Sequence, residues 1–246
     1  MSESAPVRPD DDGASAGKRR YRSPRRQMQA EQTRAAVIAA ASRVFSERGW
    51  MATNVRDVAR EAGVSVETLY SGFGSKAELL KVALDVAIVG DDEPVPFAAR
   101  AEATAMTAGS TVAARARVAA RVVTAMNARI YRLDQALRQG ASVEAVLAER
   151  LAEGEVNRRL DVADGATRVA QRAVTEVEVD EIGALTSSVV YDLLVRSSGW
   201  SGSAYEQWLA DRLIEVIQRK PRPAKPRPSK KKPRPSKKEP LDENSP

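Results

Sequence analysis

The chain has 246 residues, with no cysteine, no histidine and only 4% aromatic residues. These absences exclude a disulfide framework, a Cys/His zinc site, a thiol nucleophile, a Ser-His-Asp triad and an axial haem histidine. Carboxylate metal sites and lysine or tyrosine chemistry stay open. The longest uninterrupted apolar stretch, Ala35 to Ala41, falls far short of the ~20 residues that span a bilayer. The opening MSESAPVRPDDDG is too acidic and polar for a signal peptide, so the expected location is cytoplasmic. The sequence has no phosphate loop, dinucleotide fingerprint, HExxH or nucleophile elbow. A binding protein is therefore expected in preference to an enzyme, with no cofactor and no metal. Asp91-Asp92-Glu93 reads as a solvated acidic loop in preference to a cation site.

Charge is plentiful, and it is unevenly placed. The net charge is +6, yet residues 83–218 hold 14 basic against 20 acidic side chains. Residues 219–246 hold 11 against 3. A short basic run, Lys18-Arg19-Arg20-Tyr21-Arg22 with Arg25-Arg26, lies near the start. Basic flanks around an acidic middle point to an anionic polymer as partner, although basic tails also serve solubility alone. Residues 1–28 have little to bury and read as a disordered basic arm. In residues 219–246, Lys-Pro-Arg-Pro begins at Lys220, Lys225 and Lys232. Proline on this spacing forbids helix, so the segment reads as a disordered tail binding by electrostatics only.

Between the tails the periodicity is helical. Val37, Ile38, Ala41, Val44 and Phe45 share one face of a helix from Gln32 that stops at Gly49. Asn54 can cap a second helix ending at Gly63, and Ser65 can cap a third running to Tyr70. Ser75-Lys76-Ala77-Glu78 is a capping box that opens a fourth. DDEPVP after Gly90 predicts a loop, and residues 98–110 carry no clear pattern. Apolar spacing resumes from Val118 to Leu137, ending at Gly140. Residues 143–173 read as one or two charged amphipathic helices, with Gly154 and Gly165 as candidate breaks. Ile182–Leu194 and Tyr205–Ile217 read as two strongly apolar helices. No period-2 run appears, so an all-α fold is expected. Its expected parts are the arm at 1–28, two helical domains at 29–88 and 89–218, and the tail at 219–246.

Residues 55–73, VRDVAREAGVSVETLYSGF, have the order helix, Ala-Gly-Val turn, helix. Val58, Ala59, Val64, Leu69 and Phe73 would lock the pair from inside. The positions left facing out, Ser65, Glu67, Thr68 and Ser71, are short and polar, as a helix needs to lie deep in a major groove. The helix starts at Asn54, Ser65 and Ser75 would present backbone N–H groups to phosphates, with Lys76 adding charge.

Residues 33–82 resemble the N-terminal DNA-binding domain of the tetracycline-repressor (TetR) family. The likeness is carried by Gly49-Trp50-x-Ala52-Thr53, Ala62-Gly63-Val64-Ser65, Thr68-Leu69-Tyr70-x-x-Phe73 and Lys76. Leu185 to Ile214 is similar to the last two helices of many members, which form the dimer. The resemblance implies a homodimeric transcriptional regulator that binds palindromic double-stranded DNA as a repressor. A small molecule bound in the C-terminal domain would release it. By position, Thr53, Asn54, Ser65, Thr68, Tyr70 and Lys76 inherit DNA-contact roles, with Val66 and Glu67 facing the groove. Met126, Arg129, Tyr131 and Tyr191 fall where family effector pockets lie. Val189, Leu193, Tyr205, Trp208, Leu209 and Val216 fall on the dimer face. Position favours Tyr70 as a phosphate contact over a packed core tyrosine. Glu67 reads as solvated in preference to an acceptor from cytosine N4, and Trp200, Trp208 and Tyr205 as packing residues in preference to pocket lining. Ser71 and Gly72 stand where the family often has a larger residue and then an aromatic or histidine. One phosphate contact is therefore expected to be lost, with residues 18–26 and the tail compensating. The competing expectation is an architectural, nucleoid-type DNA-coating protein dominated by its basic tails.

Overall fold

The computed structural model describes residues 24–90 and 101–219, and among them every regular element is a helix. The basic run at 18–22, the acidic loop after Gly90 and the Lys-Pro-Arg-Pro repeats lie outside the described residues. The helices are α1 (Pro24–Ala52), α2 (Val55–Ala62), α3 (Val66–Phe73), α4 (Lys76–Val89) and α5 (Ala101–Ala108). They continue with α6 (Val112–Ala141), α7 (Ala145–Ala170), α8 (Glu176–Leu185), α9 (Ser188–Tyr191) and α10 (Gly202–Gln218). A π-helical turn, Asp192–Ser197, carries α9 onward.

Two compact units make up the chain. One takes in the chain through Ala87 together with Arg132–Leu147; the other takes in Ile88–Tyr131 and the chain from Ala148 on. The first break falls between Ala87 and Ile88, and the last turns of α6 group with the N-terminal unit. In that unit the apolar stripe of α1 is buried with Val55, Val58 and Ala59 of α2 and Leu69 of α3, and with Leu79, Leu80 and Ala83 of α4. Leu133, Ala136 and Leu137 of α6 are buried as well. Phe45 stacks on Trp50 at 6.0 Å.

α1 departs from its expected limits at its N-terminal end. It begins at Pro24, inside the segment read as arm, because Arg, Gln, Met, Ala and Glu all favour helix once a helix is anchored downstream. At the other end the regular helix breaks at Gly49 as expected, its φ of 68° and ψ of −172° being non-helical, and a short further turn follows to Ala52. A Cβ at Gly49 would lie 2.5 Å from Oε1 of Gln139, which accepts from the Trp50 N–H at 3.0 Å.

The second unit is built around α10. Tyr205, Leu209, Leu213 and Ile217 pack in one core with Ala116, Ala119 and Ala120 of α6, Ala166 and Val169 of α7, Ile182 and Tyr191. α7 runs unbroken through Gly154 and Gly165. The expected single helix over 182–194 is instead interrupted. Thr186 bonds back to the Ile182 carbonyl at 2.7 Å and ends α8, and Ser187 caps α9 by accepting from the Val190 N–H at 3.2 Å. Two buried charges are held locally. Arg115 donates to the carbonyls of Val169 and Gly109, both at 2.7 Å. Glu178, 2% exposed, closes the capping box of α8 with Thr175 and receives Arg172 at 2.6 Å. Arg172 also donates to the Ile217 carbonyl at 2.7 Å and so ties the end of α10 to the start of α8.

Candidate nucleic-acid interface

The turn between α2 and α3 is set by local chemistry. Asn54 takes extended backbone and its side chain accepts from the Arg56 N–H at 2.9 Å, starting α2. Gly63, at φ 67° and ψ 30°, ends it in the left-handed conformation that a side chain resists. The Val64 N–H returns to the Ala59 carbonyl at 3.0 Å. Ser65 then caps α3, its oxygen accepting from the Thr68 N–H at 3.1 Å. Asp57 receives Arg48 at 2.8 Å and Arg60 at 2.6 Å.

Of α3, only Leu69 is buried; Val66 and Phe73 are half-buried, and Glu67, Thr68, Tyr70, Ser71 and Gly72 are exposed. Tyr70 is 47% exposed, so the ring is not a core residue. The Ser65 and Thr68 hydroxyls lie 3.0 Å apart and offer a paired donor and acceptor toward solvent. Glu67 is held below the usual carboxylate range by its own backbone N–H and by the Ser65 hydroxyl. It stays ionised and folded back on the start of α3, an arrangement that suits a local cap more than a base contact. A Cβ on Gly72 would meet nothing, so this surface is open where a larger side chain could stand.

Of the residues expected at the DNA, Thr53 is buried and Lys76 is half-buried with its ammonium engaged within the domain. Thr53 is 4% exposed and its hydroxyl donates to the Gly49 carbonyl at 2.6 Å. It braces the kink of α1 and does not face solvent. Lys76 donates to the Trp50 carbonyl at 2.6 Å, with its ammonium 4.0 Å from the centre of the Trp50 ring. Burial lowers its pKa, with Glu144 opposing. Asn54, Ser65, Glu67, Thr68 and Tyr70 are exposed, and Val66 is half-buried.

The effector candidates lie in the second unit. Tyr191 is buried, 5.5 Å from the half-buried Tyr131 and 5.0 Å from Tyr205. Met126 is half-buried, and Arg129 is exposed and donates to the Ile88 carbonyl at 3.3 Å. Two residues that sequence reasoning missed stand beside them. Asn127, 1% exposed, donates to the Thr186 carbonyl at 3.1 Å and to the Tyr205 hydroxyl at 3.4 Å. Its Oδ1, and the Oγ1 of buried Thr124, are buried with no hydrogen-bond partner. The signal was available. Ala116, Ala120, Thr124, Asn127 and Tyr131 recur at helical spacing, beside the stripe read from Val118 to Leu137. Burying the ring raises the Tyr205 pKa to about 12, so its hydroxyl stays protonated and donates to the Leu185 carbonyl at 3.2 Å.

The expected dimer face divides as well. Val189 and Leu193 are exposed, but Tyr205, Leu209 and Val216 fill the core of their own unit, with Trp208 packed partly buried against it. A side chain with no surface cannot meet a partner, so the exposed part of that face is narrower than the apolar spacing suggested. Among the described residues no group of three or more acidic side chains is arranged to hold a metal ion, and no helix is long and apolar enough to cross a membrane.

Residues 37–83 match the N-terminal domain model of the bacterial regulatory proteins of the tetR family. The chain is 44% identical over 57 residues to the HTH-type transcriptional regulator TtgR of Pseudomonas putida, a stretch covering 23% of this chain and 27% of that protein. It is 35% identical over 66 residues to the HTH-type transcriptional regulator HbdR of Aromatoleum sp., covering 27% and 29%. The chain thus spans little more than a quarter of the length of the curated relatives it matches. In fold it is similar to the crystal structure of a TetR-family transcriptional regulator from Rhodococcus sp., at 20% identity and a TM-score of 0.56, over 76% of this chain and 99% of that one. A transcriptional regulator from Pseudomonas aeruginosa PAO1 gives 16%, 0.57, 76% and 91%.

Proposed function

We propose that this chain, whose residues 37–83 match the N-terminal domain of the tetR family, is a transcriptional regulator that binds a palindromic operator as a homodimer, represses from it, and is released by a small molecule. The observation that carries the reading is α3 itself. It is capped at both ends and fixed underneath by one buried leucine, and it presents Ser65, Thr68 and Tyr70 to solvent on a rigid base. Short hydroxyl side chains allow close approach to base edges, and Asn54 and Tyr70 flank them where phosphates pass. The exposed Val189 and Leu193 offer an apolar start for self-association, which a palindrome requires. The effector is proposed to reach the second unit beside Asn127 and Thr124, whose unpartnered oxygens a ligand donor would satisfy. A cytoplasmic location follows from the DNA partner. The relatives named above are HTH-type transcriptional regulators, which favours this reading over an architectural role dominated by the tails.

Selection of bound fragments from random double-stranded DNA tests this. An inverted repeat bound ~10³-fold or more above random sequence is expected. Recovery of no preferred sequence, with a steep salt dependence, would leave only tail-driven binding.

A further inference from the structure

We propose that the first turns of α1, residues 25–36, form a phosphate-binding rail that extends the chain's grip on double-stranded DNA beyond the helix-turn-helix; this rests on the DNA-binding reading above. From Arg25 to Ala36 every residue is exposed except half-buried Thr33, and the first buried position is Val37. The segment therefore projects as helix with almost nothing beneath it, over roughly 20 Å at ~1.5 Å per residue. Packing does not explain it. Its helicity is propagated from the anchored part of α1 and supported by Gln27 donating to Glu31 at 3.1 Å.

The charge pattern shows what the projection is suited to meet. Arg26 stands eleven and eighteen residues before Val37 and Val44, and Arg34 stands four and eleven before Ile38 and Phe45. These intervals return to nearly the same side of a helix. The stripe that is apolar over the core is therefore continued outward by two arginines, on the face turned toward the rest of the domain. The Arg34 guanidinium lies 5.2 Å from the centre of the Phe73 ring, in the last turn of α3. The rail thus leaves the domain beside the end of the helix proposed to read bases. Arg26 and Arg34 are about 12 Å apart along the axis and do not converge. One small anion could not bridge them, whereas a backbone with phosphates at regular intervals fits. The first turn holds no acidic residue, and Arg25 and Arg26 sit where the helix dipole disfavours cations. An external polyanion removes that penalty.

The test uses the full chain on a long random-sequence duplex, with affinity followed across salt for wild type, Arg26→Ala and Arg26→Lys. Arg26→Ala is expected to lower the salt slope by about 0.9 per protomer, and Arg26→Lys to keep it. The preference for a selected repeat over random DNA should stay unchanged, because phosphates carry no sequence. Amides of residues 27–36 should gain exchange protection on the duplex. An unchanged slope in Arg26→Ala, with binding intact, overturns the rail and leaves the α3 reading standing. Lost preference with an unchanged slope also overturns it, since the segment would then be shaping α3. Failure of wild type to bind any duplex removes both.

Discussion

The ammonium of Lys76, at the start of α4, is seated on the Trp50 ring and donates to the Trp50 carbonyl, joining the kinked end of α1 to the helix that follows the recognition element. Trp50 is in turn held through its N–H by Gln139 of α6. The half-buried lysine is thereby a strut between the end of α1 and the start of α4, beside the surface proposed to bind DNA. Lys76→Met should lower the stability of this unit by about 2 kcal/mol, combining a cation–π contact with a charged hydrogen bond. Urea unfolding checks it. Unchanged stability with weakened DNA binding would instead return Lys76 to a phosphate-contact role.

Glu178 carries a pH dependence. Its carboxylate is buried and held at a pKa of about 2, chiefly by the Arg172 guanidinium, against an ordinary value of 4.5. A depressed carboxylate stabilises the fold above its unfolded pKa, and that stability is lost as pH falls from about 4.5 toward 2. The contribution is at most about 3 kcal/mol, reduced by solvent because the Arg172 side chain is 37% exposed. In Glu178→Gln the acid-unfolding profile should flatten over this window. A profile identical to wild type would show that the pair does not control acid stability.

Leu193 and Trp208 should respond differently to a charge. Leu193 is 56% exposed, so Leu193→Arg is expected to give folded monomers by analytical ultracentrifugation. Trp208 packs on the core and lies 5.7 Å from buried Tyr205, so Trp208→Arg should destabilise the protomer too, by about 3 kcal/mol or more. Dimers persisting in Leu193→Arg would place the interface elsewhere.

Asn127→Leu separates a ligand site from a structural one. The change removes an unpartnered buried oxygen along with a donor to Thr186 and Tyr205, so stability should shift by only about 1 kcal/mol. Compounds that raise the Tm of wild type should then fail to raise that of the variant. Equal shifts in both would place effector binding away from Asn127.

The helix-turn-helix was legible residue by residue. Asn54, Gly63 and Ser65 act through bonds to neighbours two to five positions away, so reading along the chain suffices to place α2, the turn and α3. Legibility failed where a partner is distant in sequence or is presented by an irregular backbone. Lys76 looks like a free polar group until the fold brings it the Trp50 carbonyl from 26 positions back, and Thr53 until the break at Gly49 turns that residue's carbonyl toward it. The interruption at Thr186–Ser187 was missed because both residues can sit in a helix, and only their hydroxyl bonds to Ile182 and Val190 show where it stops.

Local hydrogen bonds and apolar spacing are encoded within a few residues, and they determined the all-helical class, the capped helix α3 and the likeness of residues 33–82 to a known domain. Which polar groups stay available is a matter of three-dimensional crowding. The protomer core took Tyr205, Leu209 and Val216, buried Asn127 with one oxygen unanswered, and left Arg26 beyond the core's edge. Burial depends on every neighbour at once, and a periodic stripe shows which way a side chain points without showing what stands opposite it.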